Sequence, residues 1–234
     1  IARVRRVFDL GADPAQVNAH LSLDPHLAPL VAQRPGLRAP GAWDGFELAV
    51  RAVLGQQITV AGARALAGRL AAEHGEVLPA ALAGEGLSLL FPTPQALARI
   101  DPETLPMPRA RGRALVGLAA AAAADPDLFA PRGSLEGAVA RLKALPGIGE
   151  WTAQYIALRQ MREPDAFPHG DIGLMRAMAG PDGQRPSAAE LLARAEAWRP
   201  WRAYGALHLW ASEGLAPTAE TPTLLEVSHD QDAA

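Results

Sequence analysis

The chain has 234 residues, 49% of them hydrophobic, and no cysteine. That is enough apolar material for one large domain or two small ones. Disulfides, cysteine nucleophiles, thiolate zinc sites and iron–sulfur clusters are excluded. The formal net charge is −3, but setting aside Glu220, Glu226, Asp230 and Asp232 leaves 22 basic residues against 21 acidic ones. A polyanion partner would therefore have to be met by local placement of charge rather than by bulk charge. The longest apolar run, around Ala119 to Ala124, is too short to span a bilayer, and the first residues lack the apolar core of a signal peptide. A cytoplasmic protein without membrane contact is expected.

In chain order, Ala2 to Leu10 alternates Val4, Val7 and Leu10 with Arg3, Arg5 and Arg6 and reads as a strand without partners. Nearly everything after it reads as helix. Asp13-Pro14 opens a short helix to about Leu21, and another follows Asp24-Pro25. Asp44 caps a helix with Phe46, Val50, Val53 and Leu54 on one face, up to Gln56-Gln57. Thr59 caps the next, whose small-residue stripe ends near Gly75. Residues 76–92 are irregular. Thr93-Pro94 starts a short helix over Gln95–Ile100, and Pro108 leads into a long alanine-rich helix to Ala124. Ser187 to Glu190 has the form of a capping box, opening a helix with Leu191, Leu192, Ala195 and Trp198. A final helix runs from Trp201 to about Gly214, and residues 217–234 are expected to be a flexible acidic tail.

The most informative stretch lies between these. Ser134 to Ala144 forms an amphipathic helix, Pro146 ends it, and Gly147-Ile148-Gly149 makes a turn suited to residues that tolerate positive φ. A second helix starts at Trp151. Such a turn can present amides to an anion, although an ordinary corner between helices also carries glycines. Twenty residues on, Asp171 precedes an apolar helical run and serves as an N-cap, a role compatible with catalysis on a cleft wall.

Trp151 and Tyr155 share one helix face. Trp198 and Trp201 read as core, whereas Trp151 at the mouth of the turn is placed to stack on a base. Gln56 and Gln57 join two helices, either as solvated surface or as a pair that enters a duplex. His169 has no second ligand at metal spacing and reads as a loop or groove-rim residue.

Residues 145–153 (Leu-Pro-Gly-Ile-Gly-Glu-Trp-Thr-Ala) with Asp171 downstream resemble the helix-hairpin-helix DNA glycosylase superfamily, and within it the bacterial 3-methyladenine DNA glycosylase II family. Arg34-Pro-Gly-Leu-Arg38, Trp43-Asp-Gly-Phe-Glu47, residues 51–57, Phe91-Pro-Thr-Pro94, residues 151–155 and residues 198–204 through Trp210 follow in family order, so the resemblance covers roughly residues 1 to 216. It implies a mainly all-α fold of two helical subdomains flanking a cleft. Residues 13–42 and 126–216 would form the subdomain carrying the hairpin, residues 43–125 the other. Residues 1–12 would be the last strand of an α+β domain that is otherwise missing or truncated.

The resemblance also implies a function. Such enzymes extrude a damaged nucleotide and cut its N-glycosidic bond. Asp171 matches the catalytic aspartate, while Trp151, Tyr155 and Trp210 match an aromatic pocket for cationic alkylated purines of the 3-methyladenine and 7-methylguanine type. Gly147, Gly149 and Thr152 match the residues that hold a DNA phosphate, and Gln57, with Gln56 beside it, falls where relatives insert a wedge. Main-chain carbonyls of Lys143, Leu145 and Ile148 match those that hold a structural Na+ or K+, with no other cofactor expected. Members that also cut the backbone carry a lysine where this chain has Trp151, so a monomeric, monofunctional enzyme acting on alkylated double-stranded DNA is expected. Two alternatives stay open: a non-catalytic DNA-binding module, and a glycosylase for uracil, mismatched thymine or oxidised purine.

Overall fold

The computed structural model describes residues 1–84 and 86–213, which leaves the expected acidic tail outside the described residues. The helices are α1 (Ala2–Val7), α2 (Pro14–Leu21), α3 (Leu27–Gln33), α4 (Gly45–Leu54), α5 (Val60–His74), α6 (Pro94–Leu97) and α7 (Arg109–Ala124). They continue with α8 (Leu135–Lys143), α9 (Glu150–Ile156), α10 (Ile172–Ala177), α11 (Ala188–Ala195) and α12 (Arg202–Glu213). Among the described residues β pairing is limited to isolated bridges in the irregular 76–90 stretch, Val77 with Leu89 and Gly84 with Leu87. No described helix is long and apolar enough to cross a membrane.

Most helix starts follow from one side chain each. Asp44, Thr59, Thr93 and Ser134 accept the amide hydrogen of Glu47, Gly62, Ala96 and Gly137, satisfying donors that a helix leaves without partners. Ser187 and Glu190 form the complete reciprocal box at the head of α11. The expectation for the first residues does not hold. Ala2–Val7 is helix, not strand, with Arg5 N donating to Ile1 O and Phe8 N to Val4 O. Val4 and Val7 lie three apart, which suits one helix face as well as one strand face, and a helix satisfies its backbone without a neighbouring strand.

One helical group packs α4, α5, α6 and α7 together, a second packs α2, α3, α10 and α12, and α8 packs on α9; α9 meets the second group through Trp151 with Asp171 and Tyr155 with Trp210, and packs on α4 to join the two. One buried core runs through both groups, from Leu21 and Leu27 through Val50, Leu54 and Leu115 to Ile156, Phe167, Leu174 and Leu209. Trp198 is core as expected, 1% exposed and edge-on to Phe167 at 5.7 Å between ring centroids. Trp201 packs edge-on against Tyr204.

Asp24 ties the start of α3 to this core. Its carboxylate accepts from Trp198 Nε1 at 2.9 Å, Arg194 Nη2 at 3.1 Å and the amides of His26 and Leu27. Burial alone would raise its pKa, but the bonds from Arg194, Trp198 and the two amides outweigh that and bring it from 3.8 to about 2. A carboxyl lowered by folding stabilises the protein above its unfolded pKa and loses that contribution as pH falls through its folded one. About 2 kcal/mol of stability is therefore expected to disappear between roughly pH 4 and pH 2. Denaturant unfolding of wild type and Asp24→Asn across this range checks it, and parallel pH dependences would contradict it.

Candidate active site

Asp171 stands where α10 begins. Its Oδ1 accepts the Leu174 amide at 3.0 Å, the N-cap bond, and also Trp210 Nε1 at 2.9 Å. Its Oδ2 accepts Trp151 Nε1 at 2.8 Å. A carboxylate offers about four lone-pair positions; three are filled by fixed donors, and one on Oδ2 remains for an incoming water. The carboxylate is thus oriented by three elements of the fold before any substrate arrives.

The same aromatic residues form the wall beside it. Trp151 and Tyr155 stack at 5.2 Å between centroids with planes 9° apart, and Trp210 meets Tyr155 edge-on at 6.3 Å. They bound a cavity of about 650 Å³ that is also lined by Leu48 and Ala52 of α4, Val60 of α5, and Gly55 and Ile58 of the link between those helices, a volume in the range of small-ligand sites. A neighbouring groove of about 930 Å³ shares Trp151 and Asp171 as its wall and runs past Gln56, Gln57, Gly147, Gly149 and Thr152. The carboxylate therefore sits on the partition between an open groove and a base-sized cavity.

The hairpin differs in detail from its sequence pattern. Gly147 has φ +79°, and a Cβ there would lie 2.3 Å from Ala114 Cβ on α7. Gly149 has φ −87°, in the ordinary region, so only one of the two glycines answers a backbone need. Nothing within the protein comes within 4 Å of a Cβ built on Gly149. Its bare backbone is open to the outside at the head of α9.

Gln56 fastens this hairpin to the other helical group. Its Nε2 donates to Gly147 O at 3.0 Å and Thr152 Oγ1 at 3.1 Å, while its carbonyl accepts Arg111 Nη2 at 2.6 Å. Thr152 is buried beneath it, its hydroxyl accepting one bond and left free to donate another. Gln57, exposed and left-handed at φ +59°, is the member of the pair whose side chain is not engaged in this clip.

Lys143 Nζ is paired with Glu150 Oε2 at 2.6 Å and does not line the cavity. Partial burial would raise the Glu150 pKa, but the Lys143 ammonium and the Gln154 amide hold it below the ordinary value. His169 lies behind the hairpin, in a separate depression with Glu136, Lys143, Glu150 and Arg199. The carbonyl of Leu145 accepts Ile148 N at 3.1 Å, whereas those of Lys143 and Ile148 accept no hydrogen bond among the described residues.

Sequence reasoning missed several residues of the site. Arg64 and Arg159 line the cavity with nothing in their local patterns to mark them, and Arg51, which opens the 51–57 stretch, lines it too although no role was expected of it. Gly173 is another: a Cβ there would lie 2.9 Å from Asp171 Oδ1 and 3.5 Å from Trp210 Cδ1. The Gly173→Ala variant should therefore displace a carboxylate that three donors hold in place. Alanine also raises helix propensity by up to about 1 kcal/mol. Stability is expected to hold or rise while turnover falls roughly tenfold or more, at the scale of 1.4 kcal/mol in the barrier per tenfold. Thermal unfolding measured beside base-release kinetics checks this, and full activity in the variant would contradict it.

A solved 3-methyladenine DNA glycosylase from Archaeoglobus fulgidus superposes with TM-score 0.75 at 24% identity, covering 92% of this chain and 74% of that one. The arrangement is the helix-hairpin-helix DNA glycosylase fold. The family model described as the AlkA N-terminal domain matches residues 1–44. DNA-3-methyladenine glycosylase 2 of Escherichia coli is 40% identical over 220 residues, 93% of this chain and 73% of its own length. A probable bifunctional transcriptional activator/DNA repair enzyme AlkA of Mycobacterium tuberculosis is 42% identical over 212 residues; the chain covers 42% of that longer protein. This chain belongs to the AlkA family of DNA-3-methyladenine glycosylases.

Proposed function

We propose that the protein is a DNA glycosylase that extrudes alkylated purines from duplex DNA and hydrolyses their N-glycosidic bonds, leaving an abasic site without cutting the backbone. The observation that carries this is Asp171, fixed by Trp151 Nε1, Trp210 Nε1 and Leu174 N on the wall of the 650 Å³ cavity. As the bond between C1′ and the purine nitrogen lengthens, its electron pair stays with the base and the sugar gains oxocarbenium character. A preplaced carboxylate stabilises that charge. Water adds its oxygen to C1′, and its proton passes to Asp171 and on to solvent.

The groove gives the duplex a place consistent with this chemistry. The bare Gly149 amide at the head of α9 and the free hydroxyl donor of Thr152 would hold a phosphate. Gln57 would fill the space left by the extruded base, and Gln56 would keep that wedge in register with the hairpin. Trp151, Tyr155 and Trp210 would receive the base. A Na+ or K+ held by the carbonyls of Lys143, Leu145 and Ile148 would stiffen the turn and supply positive potential near the phosphate.

Absence of strand cleavage is supported by the cavity lining, which includes no lysine, Lys143 being engaged with Glu150 outside it. A Schiff base at C1′ needs an amine within reach. Duplex DNA treated with a methylating agent should release free base and accumulate alkali-labile sites, with no strand breaks before alkali. If wild type releases no base, a non-catalytic DNA-binding module becomes the reading; breaks without alkali would sink the monofunctional assignment.

A further inference from the structure

The cavity is more cationic than a cationic cargo requires. Arg51, Arg64 and Arg159 line it against the single carboxylate of Asp171. Arg51 is paired with Glu47 at 2.7 Å, whereas Arg64 and Arg159 make no ion pair among the described residues. Arg159 stands against the aromatic set: its guanidinium carbon lies 5.7 Å from the Tyr155 ring centroid and 5.5 Å from that of Trp210. The ring faces that would attract a cationic base already hold a cation.

This placement is built by the fold. Past Ile156 the helix widens to a π turn over Ala157–Met161, ended by Arg162 at φ +65°. Such wide turns re-aim side chains and recur at functional sites. Arg159 Nη1 donates to Pro40 O at 3.0 Å, and its own carbonyl accepts the Ala42 amide at 3.1 Å. A Cβ on Gly41 would come within 3.2 Å of that carbonyl, so the approach of residues 40–42 depends on a bare backbone. Because the bond to Pro40 is to a neutral carbonyl, it fixes the guanidinium without cancelling its charge.

We infer that Arg159 is a specificity-determining residue that extends excision to neutral damaged purines bearing an acceptor edge, at the expense of cationic ones. The inference rests on the glycosylase reading above. A cationic purine leaves as a neutral molecule once the C1′–N bond gives it the electron pair. A neutral purine leaves as an anion, which then takes a proton from solvent while water, through Asp171, supplies hydroxide to C1′. A guanidinium beside the departing base stabilises that anion where charge develops and can donate to its exocyclic oxygen. The same guanidinium about 6 Å from a cationic base, at an effective dielectric near 20, opposes binding by roughly 100-fold, part of which Asp171 offsets.

The test uses two duplexes, one with a single 7-methylguanine and one with a single hypoxanthine, in single-turnover excision by wild type, Arg159→Met and Arg159→Gln. Taking the ratio of the two rates within each preparation cancels any difference in folded fraction. Wild type should excise both bases, and both variants should shift the ratio toward 7-methylguanine by about tenfold or more. A ratio unchanged in either variant overturns the inference, because equal loss on both duplexes is what a phosphate contact or general loosening would give. Excision of 7-methylguanine alone by wild type also overturns it. Release of neither base by wild type is the separate failure of the glycosylase reading, with which this inference falls.

Discussion

Replacing Asp171 with asparagine should abolish base release while leaving the fold nearly intact. Asparagine caps helices about as well as aspartate, so the bond to Leu174 N survives through the amide oxygen, which can also keep Trp210 Nε1. The amide nitrogen then faces Trp151 Nε1, donor against donor, where Oδ2 had accepted at 2.8 Å. Three losses coincide: the negative charge opposing the oxocarbenium ion, the lone pair that receives the water, and the acceptor that orients Trp151. Loss of one positioned electrostatic or general-base group costs 10² to 10⁴ in rate, so a fall of roughly 10³-fold or more is expected. Trp151 borders open cavity, and water can take its displaced N–H, so stability should change by about 1 kcal/mol, or roughly 2–4 °C in Tm. Abasic-site formation with thermal unfolding on the same preparation checks both. Appreciable turnover by this variant would remove Asp171 from the mechanism.

Asp171 was legible because its cap bond and its bond to Trp151 are both short-range in sequence. A cap sits immediately before its helix, and the hairpin lies twenty residues upstream. Asp44, Thr59, Thr93, Ser134 and Ser187 were readable for the same reason, each bonding an amide three residues on. Ala2–Val7 was misread because six residues cannot separate a period of two from one of 3.6. Gly149 shows the converse, a motif residue whose expected backbone reason proved absent although its openness remains. Gly173 and Arg159 escaped notice because their importance lies in what stands opposite them. One faces a carboxylate across a helical turn; the other is held by residues 40–42, well over a hundred positions away.

Asp9 is the most distant of these dependencies and should be the most costly to remove. It is 9% exposed and left-handed at φ +54°. Its Oδ1 pairs with Arg162 Nη2 at 2.7 Å; its Oδ2 accepts Tyr204 Oη at 2.8 Å and the Ala39 amide at 3.0 Å. Burial, followed by the bond to this carboxylate, raises the Tyr204 pKa, so the phenol stays a donor throughout the working range. One side chain thus joins the first ten residues to the end of the π turn and to α12, across 195 residues of sequence in the last case. In Asp9→Ala the Arg162 charge stays largely buried without its partner, and two further donors lose their acceptor. Removing one member of a buried pair costs about 3–5 kcal/mol, and a left-handed alanine adds backbone strain that aspartate and asparagine bear more easily. Against a total of about 5–15 kcal/mol, a fall in Tm of roughly 10–15 °C is expected, at 2–4 °C per kcal/mol for a chain of this size. Asp9→Asn, which keeps the left-handed preference and one acceptor, should lose distinctly less. Equal losses in the two variants would mean that the left-handed preference and the acceptor kept by asparagine contribute nothing and that the lost ion pair with Arg162 carries the whole effect, and a negligible loss in both would show that the N-terminal segment is not held to the helical core through Asp9. Because Arg162 closes the π turn that carries Arg159, a destabilised Asp9 variant should also show altered base selectivity below its melting temperature, whereas one whose damage stayed at the N-terminal segment would not.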